Sequence, residues 1–181
     1  HPSGDRIAMA RSHNGDSDIY ILSTRSGEVL ERVTKGGGID VSPAWSTDGT
    51  LLAFASERSG GSQIYVKNYT SGQTQRVTYV GDFNSDPAIS PAGTKLAFVS
   101  RSQGGFDVYV SDLNGRNAIR ITQDMGDNED PSWSPDGRYL LFSSTRTGRG
   151  EIWLSTSDGR SQVQVTRTGG WSQPTFGPPG N

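Results

Sequence analysis

The residues best placed to do chemistry in this 181-residue chain stand in front of four recurrent prolines, Pro43, Pro87, Pro131 and Pro174. They are Asp40, then Asn84 with Asp86, then Asn128 with Glu129 and Asp130, then Trp171 with Gln173. Carboxylates and amides recurring at one place can do three things. They can accept donors from a partner protein, hold a hard cation such as calcium or magnesium through about six oxygens, or act as an acid–base pair. Asn and Asp before proline also cap turns through their own backbone, so a local role competes with the shared one at each position. No loop shows a dedicated cation-ligand spacing, and acid–base catalysis lacks matched partners. The two histidines, His1 and His13, belong to no serine or cysteine nucleophile motif, and neither a Gly-x-Ser-x-Gly elbow nor a phosphate-cradling loop occurs. The expectation is a non-catalytic, net-acidic docking ring, with no required cofactor and with Trp171 as either an aromatic anchor of the kind found at interface centres or a ring packed against the closing strand.

A repeat must position these residues. Val33-Thr34, Val77-Thr78, Ile121-Thr122 and Val165-Thr166 place each Thr 44 residues after the last. An aromatic follows a repeated glycine at a fixed interval: Gly4 to Tyr20, Gly49 to Tyr65, Gly93 to Tyr109, Gly137 to Trp153. A period in the low forties built of short strands and turns predicts an all-β fold, a β-propeller of four antiparallel four-stranded blades. In the third unit the strands read as Pro87–Ser90, Lys95–Ser100, Asp107–Ser111 and about Ala118–Thr122, with Asn114-Gly115 supplying a primed hairpin turn. Apolar residues on both faces of Leu51–Ala55 and Tyr139–Phe142 fit sheets sandwiched between other sheets. Trp45, Trp133, Trp153, Tyr20, Tyr65 and Tyr109 recur at repeat positions and read as packing residues.

The whole chain, 1–181, reads as one domain, with repeats at about 1–42, 43–86, 87–130 and 131–173 and a closing strand at 174–176. The first repeat lacks its first strand, and Gln173-Pro-Thr-Phe176 is a first strand with no blade after it. Three strands at one end and one at the other suit ring closure by a shared blade. They equally suit an arc of a larger propeller, which could also pair as a homodimer through its incomplete ring. Strand parity puts the longer inter-blade and second-to-third loops on one face, where repeat folds concentrate function.

Composition narrows the classes. Net charge is −2 and no basic stripe appears, so a nucleic-acid partner is not expected. No apolar run approaches the roughly 20 residues that span a bilayer, so no membrane insertion is expected. The chain has no cysteine, which excludes disulfides and thiolate metal sites. It opens at His1 without a signal peptide, so a processed product or an excised fragment is expected.

The run Glu129-Asp-Pro-Ser-Trp-Ser-Pro-Asp-Gly137, followed by Tyr139–Ser143, Glu151–Leu154, Asp158-Gly159 and Val165-Thr166, resembles the repeat of the TolB family. The resemblance covers essentially the whole chain. Departures are small: Ile89 stands in for the first-strand aromatic, and Thr47 and Ala92 interrupt the Ser-Pro-Asp-Gly turn. The resemblance implies an arc of a six-bladed propeller in the periplasm, comprising its last three blades, most of the one before and the closing strand. It also implies a docking role in the Tol–Pal envelope system, with the peptidoglycan-associated lipoprotein or other envelope proteins as partners. Related repeats form the gating propellers of prolyl-oligopeptidase-type and tricorn-type peptidases and those of some sugar lyases, which are the alternative readings.

Overall fold

The computed structural model describes residues 1–36, 38–102, 105–123 and 126–177. Fifteen strands form four separate antiparallel sheets among the described residues, and no helix is present there. Blade 1 holds β1 (Arg6–His13), β2 (Asp16–Ser23) and β3 (Val29–Arg32). Blade 2 holds β4 (Asp40–Trp45), β5 (Leu51–Ser56), β6 (Gln63–Asn68) and β7 (Thr74–Arg76). Blade 3 holds β8 (Asn84–Ile89), β9 (Lys95–Ser102), β10 (Gly105–Asp112) and β11 (Ile119–Arg120). Blade 4 holds β12 (Asn128–Trp133), β13 (Tyr139–Ser144), β14 (Glu151–Thr156) and β15 (Gln162–Gln164). Strands pair in chain order within each sheet, so every connection is a hairpin.

The first strand of each four-stranded blade begins earlier than the sequence suggests. Its start lies three residues before the proline, at Asp40, Asn84 and Asn128. The residues read as inter-blade loops at Asp40, Asn84 and Asn128 are therefore the first half of a strand, whereas those at Trp171 and Gln173 are not. A β-bulge makes this possible: the ladder slips between Val41 and Ala44, Ser85 and Ala88, and Glu129 and Ser132. At a bulge, a proline costs no ladder hydrogen bond. Three of these strands, β4, β8 and β12, converge on a cavity of about 500 Å³ lined by Trp45, Pro91 and Trp133, with Thr175 and Phe176 on its wall.

Packing runs from blade to blade. Ile19 of blade 1 meets Leu52, Phe54 and Tyr65 of blade 2. The other face of blade 2 gives Ala53, Ala55, Ile64 and Val66 to Leu96 and Phe98 of blade 3. Ala97, Val108 and Val110 in turn meet Trp133, Leu140 and Phe142 of blade 4. A large ring from one blade thus fills the space left by alanines of the blade before it, which is why these strands are apolar on both faces.

The repeated Thr closes each blade internally. Thr34, Thr78, Thr122 and Thr166 accept through Oγ1 from the amides of Ile19, Ile64, Val108 and Ile152 at 2.8–3.0 Å. Each then donates to the side chain one residue earlier: Asp18 at 3.2 Å, Gln63 and Asp107 at 2.8 Å, and Glu151.

Both ends of the array are open. Blade 1 has three strands, as expected, and its β1 leaves Ile7 50% and Met9 42% exposed, whereas Leu52 and Phe54, one repeat on, are at 0% and 1%. Residues 171–177 form no ladder, so the expected closing strand at 174–176 pairs with neither β1 nor any other strand. No strand of blade 4 makes an extended contact with blade 1.

Candidate docking face

The residue before each recurrent proline has a left-handed backbone: Ser42 at φ 53°, Asp86 at 47°, Asp130 at 56° and Gln173 at 52°. Non-glycine residues avoid this region, and a following proline biases them towards extended conformations. A strained residue of this kind costs about 1–3 kcal/mol, and such residues cluster at functional sites. Here the conformation recurs at every repeat, and the side chains bridge blades. Ser42 Oγ donates to Asp86 Oδ1 at 3.1 Å, and the Gln173 amide donates to Asp130 Oδ2 at 3.1 Å. Ser85 and Ser143 hydroxyls complete the carboxylate shells at 3.0 and 3.1 Å.

Glu129 lies in the same field. Burial first, and then the charges of Asp127, Asp130 and Asp86, hold its carboxyl above the usual range. Acids from two consecutive blades therefore act on Glu129. Among the described residues, no group of three or more His, Cys, Asp or Glu is arranged to hold a metal ion. What the arrangement can do chemically is accept: carboxylate oxygens in partial exposure, with donors already committed on one side.

Seven of the eight residues singled out from the sequence divide into two sets, and Trp171 stands apart. Asp40, Asn84 and Asn128 are buried and internally paired. Arg58 donates to Asp40 Oδ1 at 3.2 Å, Asn84 Nδ2 donates to Gln63 Oε1 at 3.0 Å and to the Val80 carbonyl at 2.8 Å, and Arg146 donates to Asn128 Oδ1 at 2.9 Å. Their position at the head of a bulged strand turns them inward, so they brace the face rather than present it. Asp86, Glu129, Asp130 and Gln173 are the set brought together. Trp171 stands in the structural place of Asn84: its amide donates to the Gly150 carbonyl at 3.0 Å, as the Asn84 amide does to Ser62 at 2.8 Å. Its ring is 49% exposed, and Nε1 donates to Thr168 Oγ1 at 2.8 Å.

Two exposed apolar residues on this face, Ile39 and Phe83, escaped the sequence reading. Each immediately precedes a bracing residue, and Phe83 packs edge-on against Phe106 with centroids 5.8 Å apart. Their fixed spacing of one repeat was the available signal. His1, read from the sequence as lacking a serine partner, has Nδ1 2.5 Å from Ser3 Oγ. Ser3 Oγ donates to Asp5 instead, so the hydroxyl proton faces a carboxylate and not the imidazole base that a nucleophile requires. This is a turn closure.

Relatives fit this architecture. "Protein TolB homolog" of Chlorobium luteolum is 40% identical over 73 residues, covering 40% of this chain and 16% of that protein. "Tol-Pal system protein TolB" of Desulfosudis oleivorans is 43% identical over 68 residues, covering 38% of this chain and 15% of the relative. The crystal structure of TolB from Acinetobacter baumannii superposes with a TM-score of 0.84 at 29% identity, over 96% of this chain and 44% of the other. The chain thus spans less than half the length of each of these three proteins. The model of the TolB β-propeller domain matches residues 1–180, and with four blade-to-blade packed sheets in that span, three of them bulged before the proline, the chain belongs to the TolB β-propeller domain family.

Proposed function

We propose that this chain is a non-catalytic docking module of the Tol–Pal type. It acts in the periplasm and receives a partner such as the peptidoglycan-associated lipoprotein on the face formed by Asp86, Glu129, Asp130, Gln173 and Trp171. The observation that carries the reading is the left-handed conformation repeated before every recurrent proline, which aims two carboxylates at one another's neighbourhood at a local cost in stability. Relatives named for the Tol–Pal system support the compartment and the kind of partner. Asp40, Asn84 and Asn128 contribute indirectly, by bracing the strands beneath.

Calorimetric titration with the soluble peptidoglycan-associated lipoprotein tests this. Trp171→Ala is expected to cost about 2 kcal/mol of binding, the scale of an exposed aromatic hot spot. Asp130→Asn should weaken binding while leaving the thermal midpoint close to the parent's. A folded protein that does not bind, or one whose affinity ignores both changes, overturns the assignment.

A further inference from the structure

Blade 4 departs from the repeat at a second place, which adjoins the docking face where Trp171 Nε1 donates to Thr168 Oγ1. The side chain one residue before each Thr-clipped amide is Asp18, Gln63, Asp107 and Glu151 in turn. The fourth strand supplies an arginine alongside it in three blades: Arg32, Arg76 and Arg120, 44 residues apart. Arg32 pairs with Asp18, and Arg120 with Asp107 at 2.6 Å. In blade 2, where Gln63 carries no charge, Arg76 turns to the Thr78 carbonyl at 2.6 Å. In blade 4 the carboxylate is present as Glu151, but the next arginine position holds Gln164.

The consequence is an open space beside a buried charge. A cavity of about 460 Å³ lies here, lined by Glu151, Gln164, Thr147, Thr168, Arg149 and Arg167. Glu151 is 4% exposed. It accepts from the Thr166 hydroxyl and from the Gly169 amide at 2.6 Å, and among the described residues no cation is paired with it. Arg149 and Arg167, both exposed, have no hydrogen-bond or ion-pair partner among the described residues. A buried carboxylate without a counter-charge is costly, and guanidinium is the group that matches it in both charge and geometry. A cavity of this size holds a small ligand.

We propose that this cavity is a ligand site for a small molecule or chain end bearing both a guanidinium and a carboxylate. The guanidinium takes the place beside Glu151 that Arg120 takes beside Asp107. The ligand carboxylate lies between Arg149 and Arg167 at the mouth. Free arginine and a peptide ending in arginine share this chemistry.

The test is a calorimetric titration of the intact chain with L-arginine, with the dipeptide Ala-Arg, and with agmatine, which lacks the carboxylate. Saturable binding of arginine, at least tenfold weaker for agmatine, is expected. Equal binding of Ala-Arg assigns the site to peptide ends, and its exclusion assigns it to the free amino acid. Gln164→Arg restores the repeat's own arginine, so it should abolish binding and raise the melting temperature. Glu151→Gln, which copies blade 2, should lose the preference for arginine over norleucine. Failure of both arginine and Ala-Arg to bind overturns the proposal, as does undiminished binding by the folded Gln164→Arg variant. Neither result bears on the docking face, whose partner is tested separately.

Discussion

Glu129 measures what the docking face costs the fold. Its carboxyl is held above the ordinary range by burial and by three neighbouring acids. Such a group binds its proton more tightly when folded than when unfolded. Folding therefore loses free energy as pH rises from the unfolded value, near 4.5, through the higher folded value, and the deficit persists at neutral pH. Glu129→Gln removes the penalty and keeps the shape. The variant should melt above the parent at pH 7, and the two should converge well below pH 4.5, where the parent is protonated in both states. Melting curves across that range check the sign, and a variant less stable than the parent at pH 7 would show that Glu129 is stabilised by its surroundings instead. The acids themselves were legible from the sequence. Which of them face one another was not, because a bulge before proline turns alternate residues inward, and no spacing rule reports a left-handed residue at Asp86 or Asp130.

Two polar devices hold the blades as elements, one in every blade and the other in blades 2 and 4, and the repeat discloses them unequally. The Val-Thr or Ile-Thr pair was visible as a period, yet its work was not: the hydroxyl bridges a strand amide and a buried side chain. Thr122→Val keeps the volume but leaves the Val108 amide and Asp107 short of a partner. It should cost about 1–3 kcal/mol in chemical denaturation, the scale of a buried group left unsatisfied. The second device is an arginine over the inter-blade aromatics. Arg58 lies 4.9 Å from the Tyr65 ring and Arg146 4.4 Å from that of Trp153, and each also donates to the residue heading its blade's first strand. The sequence has Ser at position 102, one repeat after Arg58 and one before Arg146, and among the described residues the buried Asn84 Oδ1 has no hydrogen-bond partner. Ser102→Arg is expected to supply the missing donor and add about 1 kcal/mol, a modest return for a hydrogen bond to a charged group. Arg146→Ala should lose about 2 kcal/mol by recreating the same orphan at Asn128.

At the scale of the molecule, the propeller class and the three-stranded first blade were legible because they rest on periodicity, and the family was legible through the resemblance of the Glu129–Gly137 motif. What fails to appear in a period is the behaviour of the ends: Gln173 keeps the left-handed conformation of a first strand, but the segment after it forms no ladder. Stability in a blade array should therefore be graded, because repeat architectures sum nearest-neighbour interfaces. Blades 2 and 3 are covered on both sides, whereas blade 1 exposes Ile7 and Met9 and blade 4 leaves Val165 53% exposed where Val77 is at 0%. Equivalent substitutions should then differ sharply. Phe54→Ala removes a ring packed at the interface of blades 1 and 2 and should cost about 3–5 kcal/mol, while Met9→Ala, one repeat earlier on an open face, should cost less than about 0.5 kcal/mol. Native-state hydrogen exchange reads the same gradient without mutation. Amides of β5, β6, β9 and β10 should exchange only on global unfolding, and those of β1 and β15 at far smaller opening energies. Uniform protection across all four blades would mean that the open faces are covered in solution, by further blades or by a second copy, and would turn those faces into the next interface to map.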